Sequence, residues 1–376
     1  MTQTRCPICA GEAAGLAWPH PGQSMLSDGR IVQRPLAKLS CLGCGAGFHA
    51  SGISGAEVRT IYDDDYALAR SSPKSDAQRA RAYCNWIRAE AAAPLNILEV
   101  GCGSGALLRE LLQVWPGACG FGLDPALPAA GPSDGRLRLA RGFVADIPEH
   151  AGPFDLVIAV NVIEHTEAPQ TFLKALRSRL APNGRIVIVC PEARSPNLEL
   201  LFFDHLYSLT QAALLAASAS ASLAASRHVS APREIGDFQM VVLEANASRP
   251  TASPASPPQE LLAERNDYLG RWARLDQILL ERSASAARLV AFGGGQTAAL
   301  LRAYAPRTWS RVDAITVDDP SEAWTLGPAV VPYRDVLQQS GCGVLVATSP
   351  HVQAVLAERL SRDGLQPITW NDLIPH

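Results

Sequence analysis

No stretch of this sequence approaches the unbroken apolar length that a bilayer crossing needs, so no membrane partner is expected. The first residues, Met1 to Cys6, lack the apolar core of a secretory signal, which points to the cytoplasm. An excess of positive charge is missing too: 33 Lys and Arg stand against 36 Asp and Glu, for a net charge of −3. With no basic stretch interleaved with aromatics, that balance argues against a nucleic-acid partner held by phosphate neutralisation. An even cysteine count is also lacking. The nine cysteines, four of them in Cys-x-x-Cys pairs, suggest metal binding in a reducing compartment rather than a disulfide framework.

What is present suits two or three soluble domains with ample core: 376 residues, 47% hydrophobic and 18% charged. The most informative segment is Asn96-Ile97-Leu98-Glu99-Val100-Gly101-Cys102-Gly103-Ser104-Gly105-Ala106-Leu107-Leu108. A short apolar run ends in a glycine turn and a helical pattern follows, which predicts strand, tight loop and helix. Glycine lets the backbone turn sharply or approach a ligand, and the helix start offers unpaired N–H groups. The spacing is Gly-x-Gly-x-Gly, not the Gly-x-Gly-x-x-Gly of dinucleotide sites. Next, Ala118 to Asp124 read as a second strand whose terminal acid, 25 residues after Glu99, is placed to accept ribose hydroxyl protons. Phe143-Val144-Ala145-Asp146 adds a loop acid. Phe154 to Val160 predict a strongly apolar fourth strand, and Leu180 to Val189 a helix stop, a turn and a fifth. A doubly wound domain for another nucleotide is the alternative, and Asp146 alone also reads as a helix cap.

In this order the elements closely resemble class I S-adenosylmethionine (SAM) methyltransferases. The resemblance implies that the loop of Glu99, Gly101, Gly103 and Gly105 passes under the methionine part of SAM. It also implies that Asp124 holds the ribose, that Asp146 meets the adenine amino group, and that Asn161 belongs to the cofactor-binding set.

Cys6-Pro7-Ile8-Cys9 and Cys41-Leu42-Gly43-Cys44 are two knuckles separated by 31 residues, room for a small sheet. Each can place two thiolates on one edge of a tetrahedron, so Cys6, Cys9, Cys41 and Cys44 together predict a closed structural zinc site. A redox pair fits less well, since such motifs sit between a strand and a helix. His20 or His49 are the alternative ligands.

The expected organisation is a zinc-binding module over residues 1–60, a SAM domain over 61–246, a Pro/Ser/Ala-rich linker over 247–258 and a smaller Rossmann-like α/β domain over 259–376. In the last, Arg288 to Thr297 read as strand, glycine turn and helix start, with further strands at Asp313 to Asp319 and Gly343 to Pro350. That turn serves either a second nucleotide or packing alone. The three-part order resembles the sugar C-methyltransferases that act on nucleotide-linked keto sugars in deoxysugar biosynthesis. Particular matches are Pro35-Leu36 before the second knuckle, Tyr62 to Tyr66 after it, and Asn161-Val162-Ile163-Glu164-His165, like the family's Asn-Val-Leu-Ala-His. Phe202-Phe203-Asp204-His205 looks like its Tyr-x-Glu-His segment, with Phe202 for the tyrosine and Asp204 for the glutamate. The family's His-Gly-Gly-Ser-Leu-Arg stretch is absent, and Arg227 to Asp237 stand in its place.

The resemblance implies catalytic roles for His205, Asp204 and His165. Methylation at carbon requires a base to remove a proton alpha to a ketone, and His205 is the expected base. Asp204 would orient it or bind the sugar. Glu164 and His165 lie just past the fourth strand, at the carboxyl edge where open α/β sheets bind ligands. The expected activity is C-methylation of a nucleotide-linked keto sugar by a monomer or dimer, with O- or N-methylation of another small metabolite as the alternative. An RNA methyltransferase would want a basic surface, and no Asn-Pro-Pro-Tyr or Asp-Pro-Pro-Tyr follows the fourth strand. A non-catalytic scaffold would not need Glu99, the three glycines and Asp124 intact.

Overall fold

The apolar runs become the inner strands of an eight-stranded sheet. The structure is a computed structural model and describes residues 5–62, 73–90, 93–128, 133–148, 151–245, 257–337 and 341–374. The Asp63 to Leu68 segment, the linker up to residue 256, His150 and His376 lie outside the described residues.

The strands are β1 (Asn96–Val100), β2 (Cys119–Asp124), β3 (Ser133–Asp134), β4 (Leu137–Arg141), β5 (Phe154–Val160), β6 (Leu180–Pro191), β7 (Ala224–Ser230) and β8 (Phe238–Glu244). Their order is β7-β8-β6-β5-β1-β2-β4-β3. The run from β6 through β5, β1 and β2 to β4 is parallel, whereas β8 is antiparallel to both neighbours and β3 to β4. Ile97 and Leu98 point to opposite faces of β1, and both are fully buried, so both faces of the sheet are covered. Helix α1 (Pro73–Glu90) supplies Tyr83, Cys84 and Ile87 to the core, and α2 (Ala106–Val114) supplies Leu107, Leu108, Leu111 and Leu112, one stripe of a 3.6-residue period. Each such leucine contributes about 2 kcal/mol by leaving water. Chain order reverses between β1 and β5, which makes their adjacent carboxyl ends the switch point where open α/β sheets bind ligands.

A second sheet in the same unit is built from short antiparallel strands in the order Ala13–Gly15, Lys38–Cys41, Gly47–His49, Tyr207–Ser208. The first three surround the cysteine knuckles, and the fourth comes from the segment after β6.

The chain divides into two compact units, one from the described parts of Met1–Gly15, Lys38–Leu200 and Asp204–Leu262, the other from those of Leu16–Ala37, Leu201–Phe203 and Ala263–His376. The second holds a parallel sheet of β9 (Arg288–Phe292), β10 (Val312–Val317), β11 (Ala329–Pro332), β12 (Cys342–Val346) and β13 (Gln366–Ile368), ordered β11-β10-β9-β12-β13. Its Trp272 ring meets Trp370 with centroids 5.6 Å apart, and Trp370 Nε1 donates to the Val346 carbonyl at 3.0 Å. The turn after β9 is closely packed. A Cβ on Gly293 would stand 2.6 Å from the Ala347 carbonyl oxygen, and one on Gly294 2.8 Å from Ala323 Cβ. Two of these three glycines therefore serve close packing, and only Gly295 has open space.

Candidate active site

The loop between β1 and α2 is held in a shape that needs glycine. Gly101, Gly103 and Gly105 have φ of 76°, 52° and 78°. The Gly101 N–H donates to the Leu123 carbonyl at 2.7 Å, and the Gly103 N–H to Asp124 Oδ2 at 2.9 Å. Asp124 Oδ1 accepts from the Ala126 N–H at 2.9 Å, so this carboxylate braces two loops. The three glycines differ in what surrounds them. A Cβ on Gly101 would stand 2.3 Å from Val162 Cγ2 and one on Gly105 2.8 Å from Leu139 Cδ1, while one on Gly103 would meet nothing within 4 Å. Two positions are filled by protein and one faces open space.

Glu99 sits beneath this loop, 3% exposed, and among the described residues its Oε2 has no hydrogen-bond partner. Burial pushes its carboxyl well above the usual range, and nearby Asp124 pushes it further. Asp124 is also raised by burial, against which the Ala126 and Gly103 N–H groups act. Two buried acids near an open glycine form a cradle that a cationic ligand would drive toward the carboxylate form. That fits a cationic ligand carrying a sulfonium and an ammonium, which SAM is. Asn161 is exposed at the end of β5 with φ 56°, and its side chain bonds Tyr83. Asp146 is exposed in a single turn, Val144–Asp146, where its Oδ2 accepts from the Phe143 N–H at 2.8 Å.

The second constellation starts one residue past Asn161. Val162, the residue that fills the space over Gly101, leads into the turn Ile163–His165. The structure brings His165, Asp204 and His205 together. His165 Nδ1 donates to the Asp204 carbonyl at 2.8 Å, with Asp204 Oδ2 at 3.7 Å. A carbonyl only accepts, so Nδ1 carries the proton and the lone pair lies on Nε2. His205 Nδ1 is 3.4 Å from Glu199 Oε2, which also accepts from Ser208 Oγ at 3.1 Å. The two imidazoles meet edge to face, centroids 4.7 Å apart at 81°. Burial first, and then His205, push His165 down to about 4, so it is neutral at physiological pH. Glu164 is 2% exposed, and burial pushes it up to about 7. Lys38, 1% exposed, donates to the Leu200 carbonyl at 3.2 Å.

Glu199 and Lys38 escape the sequence reading. A glutamate six residues before a histidine carries no spacing signal, and Lys38 looks like an ordinary surface lysine beside the second knuckle. The partner found at the His205 ring is Glu199, and Asp204 lies at His165.

The four cysteines converge. Cys6 Sγ and Cys44 Sγ are 3.7 Å apart, Cys9 Sγ and Cys41 Sγ 3.4 Å, and all four sulfurs lie within 4.8 Å of one another without a disulfide. Zinc–sulfur bonds of about 2.3 Å give a tetrahedron with edges of roughly 3.8 Å, so the donor set fits zinc. Backbone N–H groups of Ile8, Gly43 and Cys44 point at the sulfurs of Cys6 and Cys41 at 3.3–3.4 Å, as thiolates require. Neither His20 nor His49 belongs to the cluster.

Residues 75–233 match the family model described as a methyltransferase domain. A ubiquinone biosynthesis O-methyltransferase from Bradyrhizobium diazoefficiens is 34% identical over 100 residues, 25% of this chain and 39% of that protein. Ajmaline N-methyltransferase from Rauvolfia serpentina is 29% identical over 104 residues, 26% of this chain and 35% of that protein. The solved structure of 1,6-didemethyltoxoflavin-N1-methyltransferase from Burkholderia thailandensis aligns over 50% of this chain and 86% of its own, with 20% identity and a TM-score of 0.40. The chain thus spans about two fifths or less of the length of these two curated relatives. The segment that matches the methyltransferase domain carries the glycine loop and most of the eight-stranded sheet, and the activity of the whole chain is a proposal.

Proposed function

We propose that this chain transfers the methyl group of SAM to a small-molecule acceptor seated at the His165–His205 cluster. The observation that carries this reading is the contact between the two sites. Val162 lies against Gly101, and β1 and β5 are paired neighbours, so the donor loop and the histidines open from the same sheet edge. SAM supplies an activated methyl that moves by in-line displacement, which leaves alignment and acceptor activation to the protein.

Glu99, Gly101, Gly103, Gly105, Asp124, Asp146 and Asn161 are the proposed donor-binding residues. Glu99 and Asp124 supply the negative charge, and Gly103 leaves the space. Cys6, Cys9, Cys41 and Cys44 are the proposed ligands of a structural zinc with no open position. The finer acceptor reading is a nucleotide-linked keto sugar methylated at the carbon beside the ketone. His205, held by Glu199, takes the alpha proton, while Asp204 fixes His165 at the pocket wall. A second reading, transfer to an oxygen of another small metabolite, is favoured by the O-methyltransferase relative and would use the same histidine to deprotonate a hydroxyl.

The test is transfer from methyl-labelled SAM to a panel of nucleotide-linked keto sugars and hydroxylated metabolites, with NMR of the product. A new carbon–methyl bond, with solvent deuterium entering the alpha carbon in wild type and not in His205→Ala, supports the first reading. An O-methyl product with no exchange into any keto sugar selects the second. Failure to bind SAM by calorimetry rejects both.

A further inference from the structure

We propose that Glu164, His165 and His205 form a site for one divalent first-row transition-metal ion, separate from the four cysteines. One ligand atom from each residue lies within 4.8 Å of the other two. Metal–ligand bonds of about 2.1 Å set ligand atoms roughly 3.0–4.2 Å apart, so loading asks for a small closure. Two imidazoles and one carboxylate suit manganese, iron or zinc, and leave positions open for an outside oxygen.

Two features point to a cation rather than to packing alone. The first is Glu164: the side chain is 2% exposed, and among the described residues neither carboxylate oxygen has a hydrogen-bond partner. Burying a carboxyl without a hydrogen-bond partner is costly, and a cation held between it and the two imidazoles would offset that cost. The second is the orientation of the rings. His165 Nδ1 is occupied by the Asp204 carbonyl at 2.8 Å, and His205 Nδ1 faces the Glu199 carboxylate at 3.4 Å. Metal-bound histidines are held in this way, by a carbonyl or carboxylate on the nitrogen away from the ion. Glu199 is itself held by Ser208 Oγ at 3.1 Å, so the support extends one shell further.

Binding of the ion stands independently of the methyltransferase reading, whereas its use rests on it. A cation here would hold an oxygen of the acceptor as a Lewis acid beside the donor loop. In the loaded protein His205 would be a ligand, and its proton-accepting role would belong to the metal-free form alone. The acceptors favoured are those that present an oxygen donor next to the methylated atom.

The test uses the full chain with its cysteine site filled by zinc. Mn2+ is titrated in without SAM or acceptor, and the signal of free Mn2+ is followed by electron paramagnetic resonance. One Mn2+ should disappear per chain. Glu164→Gln and His165→Gln should each weaken binding by roughly tenfold or more, with zinc content and circular dichroism unchanged. Should Glu164→Gln misfold, His165→Gln and the wild-type stoichiometry still decide. Absence of binding at millimolar Mn2+, or equal binding by a folded variant, overturns the site. Calorimetry with SAM on the same samples separates the two ideas: Mn2+ bound without SAM sinks the methyltransferase reading alone, and SAM bound without Mn2+ sinks the metal site alone.

Discussion

Tyr207 lies opposite Phe48 in antiparallel register, two residues after His205. The strand that follows the histidine therefore belongs to the sheet whose other strands carry the cysteine knuckles. Thr210 Oγ1 adds a bond to the Cys44 carbonyl at 2.6 Å. This ties the proposed zinc to the position of the proposed catalytic ring of His205 rather than to overall stability alone. Chelation, or Cys41→Ser, is expected to remove the metal and abolish methyl transfer while SAM affinity stays nearly intact, because the donor loop hangs from the other sheet. Metal content, turnover and SAM calorimetry on one sample check this; turnover that survives full loss of zinc rejects the coupling.

The glycines of the donor loop separate packing from ligand space. In Gly101→Ala a Cβ would stand 2.3 Å from Val162 Cγ2 at a φ of 76°. The left-handed backbone alone costs roughly 1–2 kcal/mol, so melting should fall visibly without any ligand. Val162→Ala in the same chain should restore part of it. Gly103→Ala meets nothing within 4 Å, so its melting should drop only by the backbone strain. Its loss should appear instead in SAM binding, because the new methyl stands where the donor is proposed to lie. Equal SAM affinity in Gly103→Ala and wild type would place the donor elsewhere.

If Glu99 faces the donor as proposed, SAM binding is expected to depend on pH in a definite direction. Its carboxyl is raised above the unfolded value, about 4.3, so the fold keeps a proton that the unfolded chain has already lost. Across that window the folded state binds more protons, and the stability of the donor-free protein falls as pH rises. A cationic donor prefers the carboxylate, so its binding expels the proton and tightens with rising pH through the same window. Calorimetry in buffers of different ionisation enthalpy should show proton release on SAM binding. Glu99→Gln should abolish most of that release and weaken SAM by about 1.5–3 kcal/mol, the worth of a hydrogen bond to a charged group. Proton uptake would contradict the assignment.

What could be read in advance follows the reach of each physical signal. β1, β2 and β5 were legible because buried strands are continuous apolar runs and the turns between them need glycine or proline. The convergence of the four cysteines was legible in the spacing of their two Cys-x-x-Cys pairs. Three features were not. The grouping of Leu16–Ala37 with the second unit comes from long-range packing that leaves no local pattern. The pairing of Tyr207–Ser208 with Gly47–His49 joins segments about 160 residues apart through a two-residue strand, too short for an alternation signal. Glu199 lies in the short turn Leu198–Leu201, and only the folded path brings its carboxylate to His205.

That last contact yields a sharp comparison between two acids. Glu199 reaches His205 through its side chain, with Oε2 3.4 Å from Nδ1, whereas Asp204 reaches His165 chiefly through its backbone carbonyl at 2.8 Å. Glu199→Gln removes the charge that holds the His205 ring and lets an amide nitrogen face Nδ1, which favours the wrong tautomer. Turnover should fall by about 10–100-fold with SAM affinity unchanged, the range seen when a partner that orients a functional imidazole is lost. Asp204→Asn keeps the carbonyl and hence the His165 tautomer, so its effect should be several times smaller. Single-turnover rates with SAM and the best acceptor, alongside SAM calorimetry, compare the two. A larger loss in Asp204→Asn would mean that the aspartate carboxylate, and not Glu199, serves the reacting histidine.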